Sequence, residues 1–212
     1  MCGKKVEEKT VEVIEPDNKI VVIDKENLSF ENSIYNLKNK EKSLSYNLVF
    51  QDSKENDLYT CKFKSLSDKG YFKDFNEKII VSFKLHGHFS GKYDITINKE
   101  DKDTHSVTCQ LIPRNSTSSY MKYTVEFKNK ETGKTEILDV QYKNNLKKCF
   151  IYYGKQKENG QLICKLLTTN LMKNDFTIEI APNVDQLFIN VIIYIILRMF
   201  QTHIIMAMPI IV

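Results

Sequence analysis

One apolar stretch near the C-terminus constrains the fold more than any other part of the sequence. Between Leu187 and Leu197, Asn190 is the only strongly polar residue. Asn183 and Gln186 have the spacing of a capping box, and Asp185 places a negative charge where the helix dipole favours it. The stretch predicts an α-helix that is apolar on every face and must be buried in protein or in lipid. Its many β-branched residues leave one alternative, a strand buried on both faces.

The length of this stretch favours burial in protein. A bilayer requires about 20 consecutive apolar residues, and Arg198 interrupts the run after Leu197. An arginine near the bilayer centre costs about 2.5–3.5 kcal/mol. We therefore expect the helix over residues 184–198 to pack inside the folded domain. Residues 199–212 are then an apolar tail, which packs against that domain or contacts a membrane surface.

The segment around the predicted helix resembles part of a known family. Asp175–Ile180 alternates apolar and polar residues as a half-buried strand does, and a P-x-V-D turn leads from it into the helix. This order resembles the closing segment of the LURP-one-related family. The matching residues are Phe176, Pro182, Val184, Asp185, Phe188 and the aliphatic residues as far as Leu197. Members of that family are similar in fold to the tubby C-terminal domain and to the phospholipid scramblases.

The resemblance implies a mainly β fold, a closed antiparallel barrel of about twelve strands around a central apolar C-terminal α-helix. The residues expected to build this helix are Val184, Asp185, Phe188, Ile189, Ile192, Ile193 and Ile196. A barrel of this size has a bore too wide for its own wall side chains to fill, so an apolar helix suits its interior.

Short runs of alternating hydrophobicity in the rest of the chain agree with a barrel. About twelve such runs recur between Lys9 and Ile180, at the spacing expected of an all-β domain. The first two, Lys9–Ile14 and Lys19–Ile23, flank a turn that begins at Pro16. Ser65–Asn76 is predicted to be a loop. We therefore predict a flexible N-terminus over residues 1–8 and one barrel domain over residues 9–198.

Composition and motifs argue against several classes of function. The net charge is only +4, and nearly all of the 31 basic residues are lysines, so nucleic-acid binding is not predicted. No nucleotide-binding, hydrolase or calcium-loop motif occurs, and we predict a non-enzymatic protein without catalytic residues or cofactor. His86 and His88 lack further ligands of defined position, so no metal site is predicted. Cys61, Cys109 and Cys164 occupy apolar strand positions and are predicted to be buried, reduced thiols.

Lysines are the remaining candidates for a binding surface. The lysines around two predicted turns are Lys122, Lys128, Lys130, Lys134, Lys143, Lys147 and Lys148. Lysines attract anionic headgroups and tubby domains bind phosphoinositides, so the resemblance implies a protein that binds anionic membrane lipid. With no secretory signal after Met1, we expect it to be cytoplasmic and peripheral at the membrane, where acylation of Cys2 would strengthen binding. The alternatives left open are a scramblase-like, membrane-anchored lipid translocator and a scaffold for protein partners.

Overall fold

The computed structural model describes residues 11–39, 47–63, 68–87, 92–99, 106–115, 120–143, 148–170 and 175–207. Within these residues the chain forms a closed antiparallel barrel and one C-terminal α-helix, so the predicted fold class is confirmed. The strands are β1 (Ser33–Asn39), β2 (Leu48–Gln51), β3 (Asp57–Phe63), β4 (Lys69–Asp74), β5 (Ile79–Gly87), β6 (Tyr93–Lys99), β7 (Ser106–Arg114), β8 (Tyr120–Lys128), β9 (Thr135–Lys143), β10 (Lys148–Tyr153), β11 (Gln161–Asn170) and β12 (Asp175–Ile180). The helix, α1, spans Gln186–Ala207.

The barrel is an up-and-down meander in which each strand pairs with its neighbours in the chain. β1 closes the ring by pairing with β12, and Tyr35 lies opposite Ile178 at this seam. Side chains alternate between the interior and the outer wall. In β5, Val81 and Phe83 are buried whereas Lys84 is exposed. Closure of the ring leaves none of these strands with an unpaired edge.

The two ends of the barrel differ. At the cap end, where α1 begins, lie Ser33 at the start of β1 and Ile180 at the end of β12. At the exit end lie Asn39 and Asp175, from the opposite ends of the same two strands. Residues 20–23 are buried consecutively next to the start of α1, so this N-terminal segment covers the cap end.

Asp185 caps α1, which corrects the predicted start of the helix. Its Oδ1 accepts a hydrogen bond from the backbone N–H of Phe188 at 3.1 Å, the bond expected of an N-cap residue. Asn183, the predicted cap, has a left-handed backbone with φ of 59° and lies before the helix. Val184 also precedes α1 and forms an isolated parallel bridge with Ile20.

α1 fills the barrel, as its apolar sequence predicts. The predicted helix residues Phe188, Ile189, Ile192, Ile193 and Ile196 are each at most 3% exposed. The helix continues past its predicted end at residue 198 as far as Ala207. The predicted boundary between the helix and the apolar tail of residues 199–212 therefore lies within α1. In the described part of the chain, no helix has the length and hydropathy needed to span a bilayer.

Aromatic rings fill one side of the interior. The ring of Tyr194 on α1 lies 5.4 Å from that of Phe63, 6.0 Å from Phe72 and 6.1 Å from Phe83, measured between centroids. Aromatic pairs at such distances add about 0.5–1.5 kcal/mol to the free energy gained by burial. Arg198 lies over Phe63 at 5.6 Å, so the helix leaves the barrel beside this cluster.

Two predicted strands are wrong. Residues 11–14 and 19–23 form no strand, apart from the single bridge at Ile20. The backbone N–H groups of Val22 and Ile23 instead donate to Oδ2 of Asp185, at 3.1 and 2.6 Å. The N–H of Val21 donates to Oδ1 of Asn129 at 3.1 Å. Residues 20–23 are apolar because they cover the cap end of the barrel. The backbone N–H groups of residues 21–23, which would otherwise donate to a neighbouring strand, are satisfied by side-chain oxygens.

The predicted loop Ser65–Asn76 contains strand β4, and its first residues lie outside the described part of the chain. Gly70, a residue typical of turns, lies within this strand and is buried. A Cβ on Gly70 would lie 2.3 Å from Cζ of Phe83, so the missing side chain makes room for the Phe83 ring. This glycine therefore marks close packing within a strand rather than a turn.

Candidate functional site

The lysines predicted to bind lipid lie toward opposite ends of the barrel. The cap-end group is Lys128, Lys130 and Lys134, and the exit-end group is Lys122, Lys143 and Lys148. Lys122 and Lys128 are separated by about 20 Å along β8. The described lysines therefore do not form one compact cluster, and Lys147 lies outside the described residues. Their binding to lipid stays a prediction.

Lys130 contributes to the covering of the cap end. Its backbone N–H donates to the carbonyl of Val21 at 2.7 Å, and its Nζ donates to the carbonyl of Ile23 at 2.5 Å. The side chain thus binds the N-terminal segment. Lys128 and Lys134, on the same hairpin, are exposed.

A groove on the outer wall of the barrel brings together different lysines. It crosses β4, β5 and β6 and has a volume of about 400 Å³. Lys69 of β4 lies directly opposite Lys84 of β5, and both side chains are exposed. The other residues that line the groove are Gly70, Tyr71, Ile79, Ser82, Phe83, Thr96 and Asn98. None of these lining residues is acidic.

The surroundings of this lysine groove add positive charge. Lys62 of β3 lies opposite Tyr71 in the sheet register. Lys73 places its Nζ 5.6 Å from the centre of the Tyr71 ring and 2.8 Å from a carboxylate oxygen of Glu77. The hydrogen bond to Glu77 raises the pKa of Lys73. Lys69 and Lys84 thus place two positive charges side by side across the hairpin, where an anion can lie close to both.

Local sequence patterns could not reveal the groove. Lys69 and Lys84 lie on different strands, and only the register of the β4–β5 hairpin makes them neighbours. The signal that could have found them was Lys69 itself, but it lay in a segment predicted to be a loop. The predicted lysines are instead those that lie close together in the sequence.

A second cavity, of about 520 Å³, lies at the cap end and has a different chemistry. Tyr35 and Gln186 line it, and the Tyr35 hydroxyl donates to Oε1 of Gln186. Burial raises the pKa of Tyr35 to about 12, so the hydroxyl remains neutral. Glu26 is the charged residue among those that line the cavity. A neutral, hydroxyl-lined cavity with a carboxylate at its edge does not favour an anion.

The described cysteines are buried, as predicted for Cys61, Cys109 and Cys164; Cys149 is buried as well. Burial raises the pKa of Cys109 and of Cys149 to about 12 and that of Cys61 and Cys164 well above the ordinary value. A thiolate is the reactive form of cysteine. These thiols therefore suit packing rather than nucleophilic chemistry.

We expect these thiols to resist alkylation in the folded protein. Treatment with iodoacetamide at pH 8, followed by peptide mass spectrometry, should leave Cys61, Cys109, Cys149 and Cys164 unmodified until urea is added, because burial excludes the reagent and raises each thiol pKa further above the pH of the reaction. Modification of any of them at the rate of a free peptide thiol would contradict the burial described above.

Metal binding has no visible basis in the described residues. No group of three or more histidine, cysteine, aspartate or glutamate side chains there is arranged to hold an ion. His86 lies on β5 opposite Asp94 of β6, and His88, its partner in the sequence pattern, lies outside the described residues.

The described architecture defines a class of protein, the twelve-stranded antiparallel β-barrel built around a buried C-terminal helix. A solved structure of an Arabidopsis thaliana protein is similar, with a TM-score of 0.53 and 18% sequence identity, over 82% of this chain and 95% of that chain. At this identity the likeness shows the fold alone. A comparison with curated proteins gives no match.

The family follows from a second comparison. A family model described as LURP-one-related matches residues 34–197, which extend from β1 into α1. The chain belongs to the LURP-one-related family, as the P-x-V-D turn and the apolar helix imply.

Proposed function

We propose that this protein is a non-enzymatic membrane-surface module that binds anionic lipid headgroups, phosphoinositides among them, in the lysine groove. The pairing of Lys69 with Lys84 across two neighbouring strands carries this proposal. Each lysine near a charged membrane surface adds about 1 kcal/mol of attraction, and two lysines at one position can neutralise a phosphate that carries more than one charge. Tyr71, Ser82, Thr96 and Asn98 add polar groups to the lining.

The contrast between the two cavities supports the choice of this groove. The cap-end cavity has a larger volume, but Glu26 lies at its edge and no lysine or arginine lines it. The lysine groove has two lysines and no carboxylate among its lining residues. Coulomb attraction therefore favours an anionic ligand at the groove, whereas Glu26 at the cap end is a carboxylate paired with Lys99 at 3.4 Å.

The test is sedimentation with phosphatidylcholine vesicles that contain or lack a phosphoinositide, at low and at physiological salt. We expect binding only to the phosphoinositide vesicles, and weaker binding at physiological salt, where the Debye length is about 8 Å. The double substitution Lys69→Gln and Lys84→Gln is expected to reduce affinity about tenfold or more, because it removes two favourable lysine contacts.

A matched control removes the same charge from the cap end. The double substitution Lys155→Gln and Lys157→Gln changes two exposed lysines between β10 and β11 and is expected to leave vesicle binding within about threefold of the parent. Equal losses in the two double variants would show that binding follows net charge and not the groove. If the parent protein sediments with neither vesicle, lipid binding is refuted, and a scaffold for protein partners becomes the better hypothesis.

A further inference from the structure

An exposed aromatic residue lies at the tip of the hairpin that carries the lysine groove. Phe75, in the β4–β5 turn, is 79% exposed. Ile79, which begins β5, is 36% exposed and also lines the groove. The apolar tip of the hairpin is therefore continuous with its basic outer wall.

The turn holds Phe75 in a defined conformation. One carboxylate oxygen of Asp74 accepts hydrogen bonds from the backbone N–H groups of Asn76 and Lys78, both at 2.9 Å. The N–H of Asp74 donates to the carbonyl of Lys78 at 2.9 Å. Glu77 has a left-handed backbone with φ of 62°, which completes the reversal of the chain. The exposure of Phe75 is thus a property of an ordered, hydrogen-bonded turn.

The charges around Phe75 select one kind of partner. Lys73 and Lys78 flank the turn, but Asp74 and Glu77 lie within it and balance their charge. The excess positive charge of the hairpin therefore comes from the pair Lys69 and Lys84. An apolar tip next to a basic surface is the composition of segments that lie at an anionic membrane interface. An acidic protein surface would match the lysines but would not require an apolar tip.

We propose that Phe75 and Ile79 enter the interfacial layer of the same anionic bilayer whose headgroups occupy the lysine groove; this inference rests on the proposed function. Ile79 and Lys84 are about 17 Å apart along β5, and each headgroup layer is roughly 5–7 Å thick. Ile79 and Lys84 therefore both reach the headgroup layer on one side of the bilayer when the hairpin is inclined by about 20° to the membrane plane. The outer wall of the barrel, rather than either open end, then faces the bilayer.

The absence of tryptophan from the chain permits a direct test. Phe75→Trp introduces a single indole, whose emission is recorded with phosphatidylcholine vesicles containing phosphoinositide and either ordinary or brominated acyl chains. We expect a blue shift on binding and quenching by the brominated chains, because an inserted indole lies at the interface. Phe75→Ser is expected to weaken vesicle affinity about tenfold at unchanged net charge, since it removes the aromatic ring that would transfer from water into the interfacial layer.

Phe30→Trp is the matched control. Phe30 is 89% exposed and lines the cap-end cavity, but Glu26 and Glu31 are its charged neighbours. We expect quenching at position 75 to exceed that at position 30 at least about twofold. Sedimentation of the Phe75→Trp protein without quenching would overturn the insertion and leave the proposed function intact. Equal quenching at the two positions would overturn the inclined orientation, and failure of the parent protein to bind any vesicle would refute both proposals.

Discussion

Replacing Ile193 with aspartate is expected to prevent the protein from folding to a soluble monomer. Ile193 lies on α1 within the barrel and is only 2% exposed. A carboxylate there would lose its hydration without gaining a hydrogen-bond partner, which costs several kcal/mol in addition to the lost apolar burial. The free energy of unfolding of a typical domain is only about 5–15 kcal/mol. Gel filtration and far-UV circular dichroism of the purified variant provide the measurement.

Two controls separate this effect from a general intolerance of substitution. Ile14→Asp makes the same chemical change at a residue that is 55% exposed, and should alter the free energy of unfolding by at most about 0.5 kcal/mol. Ile193→Val removes one methyl group from the core and should cost about 0.5–1.5 kcal/mol. A folded, monomeric Ile193→Asp protein would show that this part of α1 does not lie in the core.

Replacing Asp185 with alanine is expected to remove at least about 4 kcal/mol from the free energy of unfolding. Its carboxylate accepts hydrogen bonds from four backbone N–H groups, those of Val22, Ile23, Asp24 and Phe188. Each buried donor left without a partner costs about 1–3 kcal/mol. The substitution therefore damages the helix cap and the covering of the cap end at once. Burial raises the pKa of this carboxyl, and the four N–H donors oppose the rise.

Asp24→Ala is the matched control for Asp185→Ala. Asp24 also bonds a backbone N–H, that of Glu26 at 3.0 Å, and forms an ion pair with Lys99 at 2.6 Å. Its side chain is 29% exposed, so its loss should cost about 1 kcal/mol. Urea unfolding curves of the two variants measure the difference. Comparable midpoints would mean that Asp185 does not join the helix to the N-terminal segment as described.

The helix was predictable because local signals and overall hydropathy agree, whereas its cap was not. Asn183 and Asp185 are both good N-cap residues, and the sequence around them does not choose between them. The choice depends on residues 22–24, whose N–H groups require an acceptor at the start of α1. This contact joins parts of the chain that are far apart in sequence. Periodicity over a short window contains no information about it.

The same limit explains the missed strand and the missed groove. Gly70 resembles a turn residue until the ring of Phe83 is placed over it. Lys69 and Lys84 resemble scattered surface lysines until the hairpin register sets them side by side. By contrast, an alternating pattern within one strand indicates which side chains face the core, as Val81, Phe83 and Leu85 of β5 do, although Ile79 at the same phase is exposed at the start of the strand.

The pairing of β1 with β12 also determines when the barrel can close during synthesis of the chain. These two strands are the first and last of the ring, and a ribosome releases β1 long before β12 and α1. During that interval the growing sheet has two unpaired edges and lacks the helix that fills its interior. Unpaired strand edges can pair with other chains. Local hairpins can form early, but ring closure must await β12, and filling of the interior must await α1. Synthesis of this barrel therefore passes through a period in which its strand edges and apolar interior are open to contact with other chains.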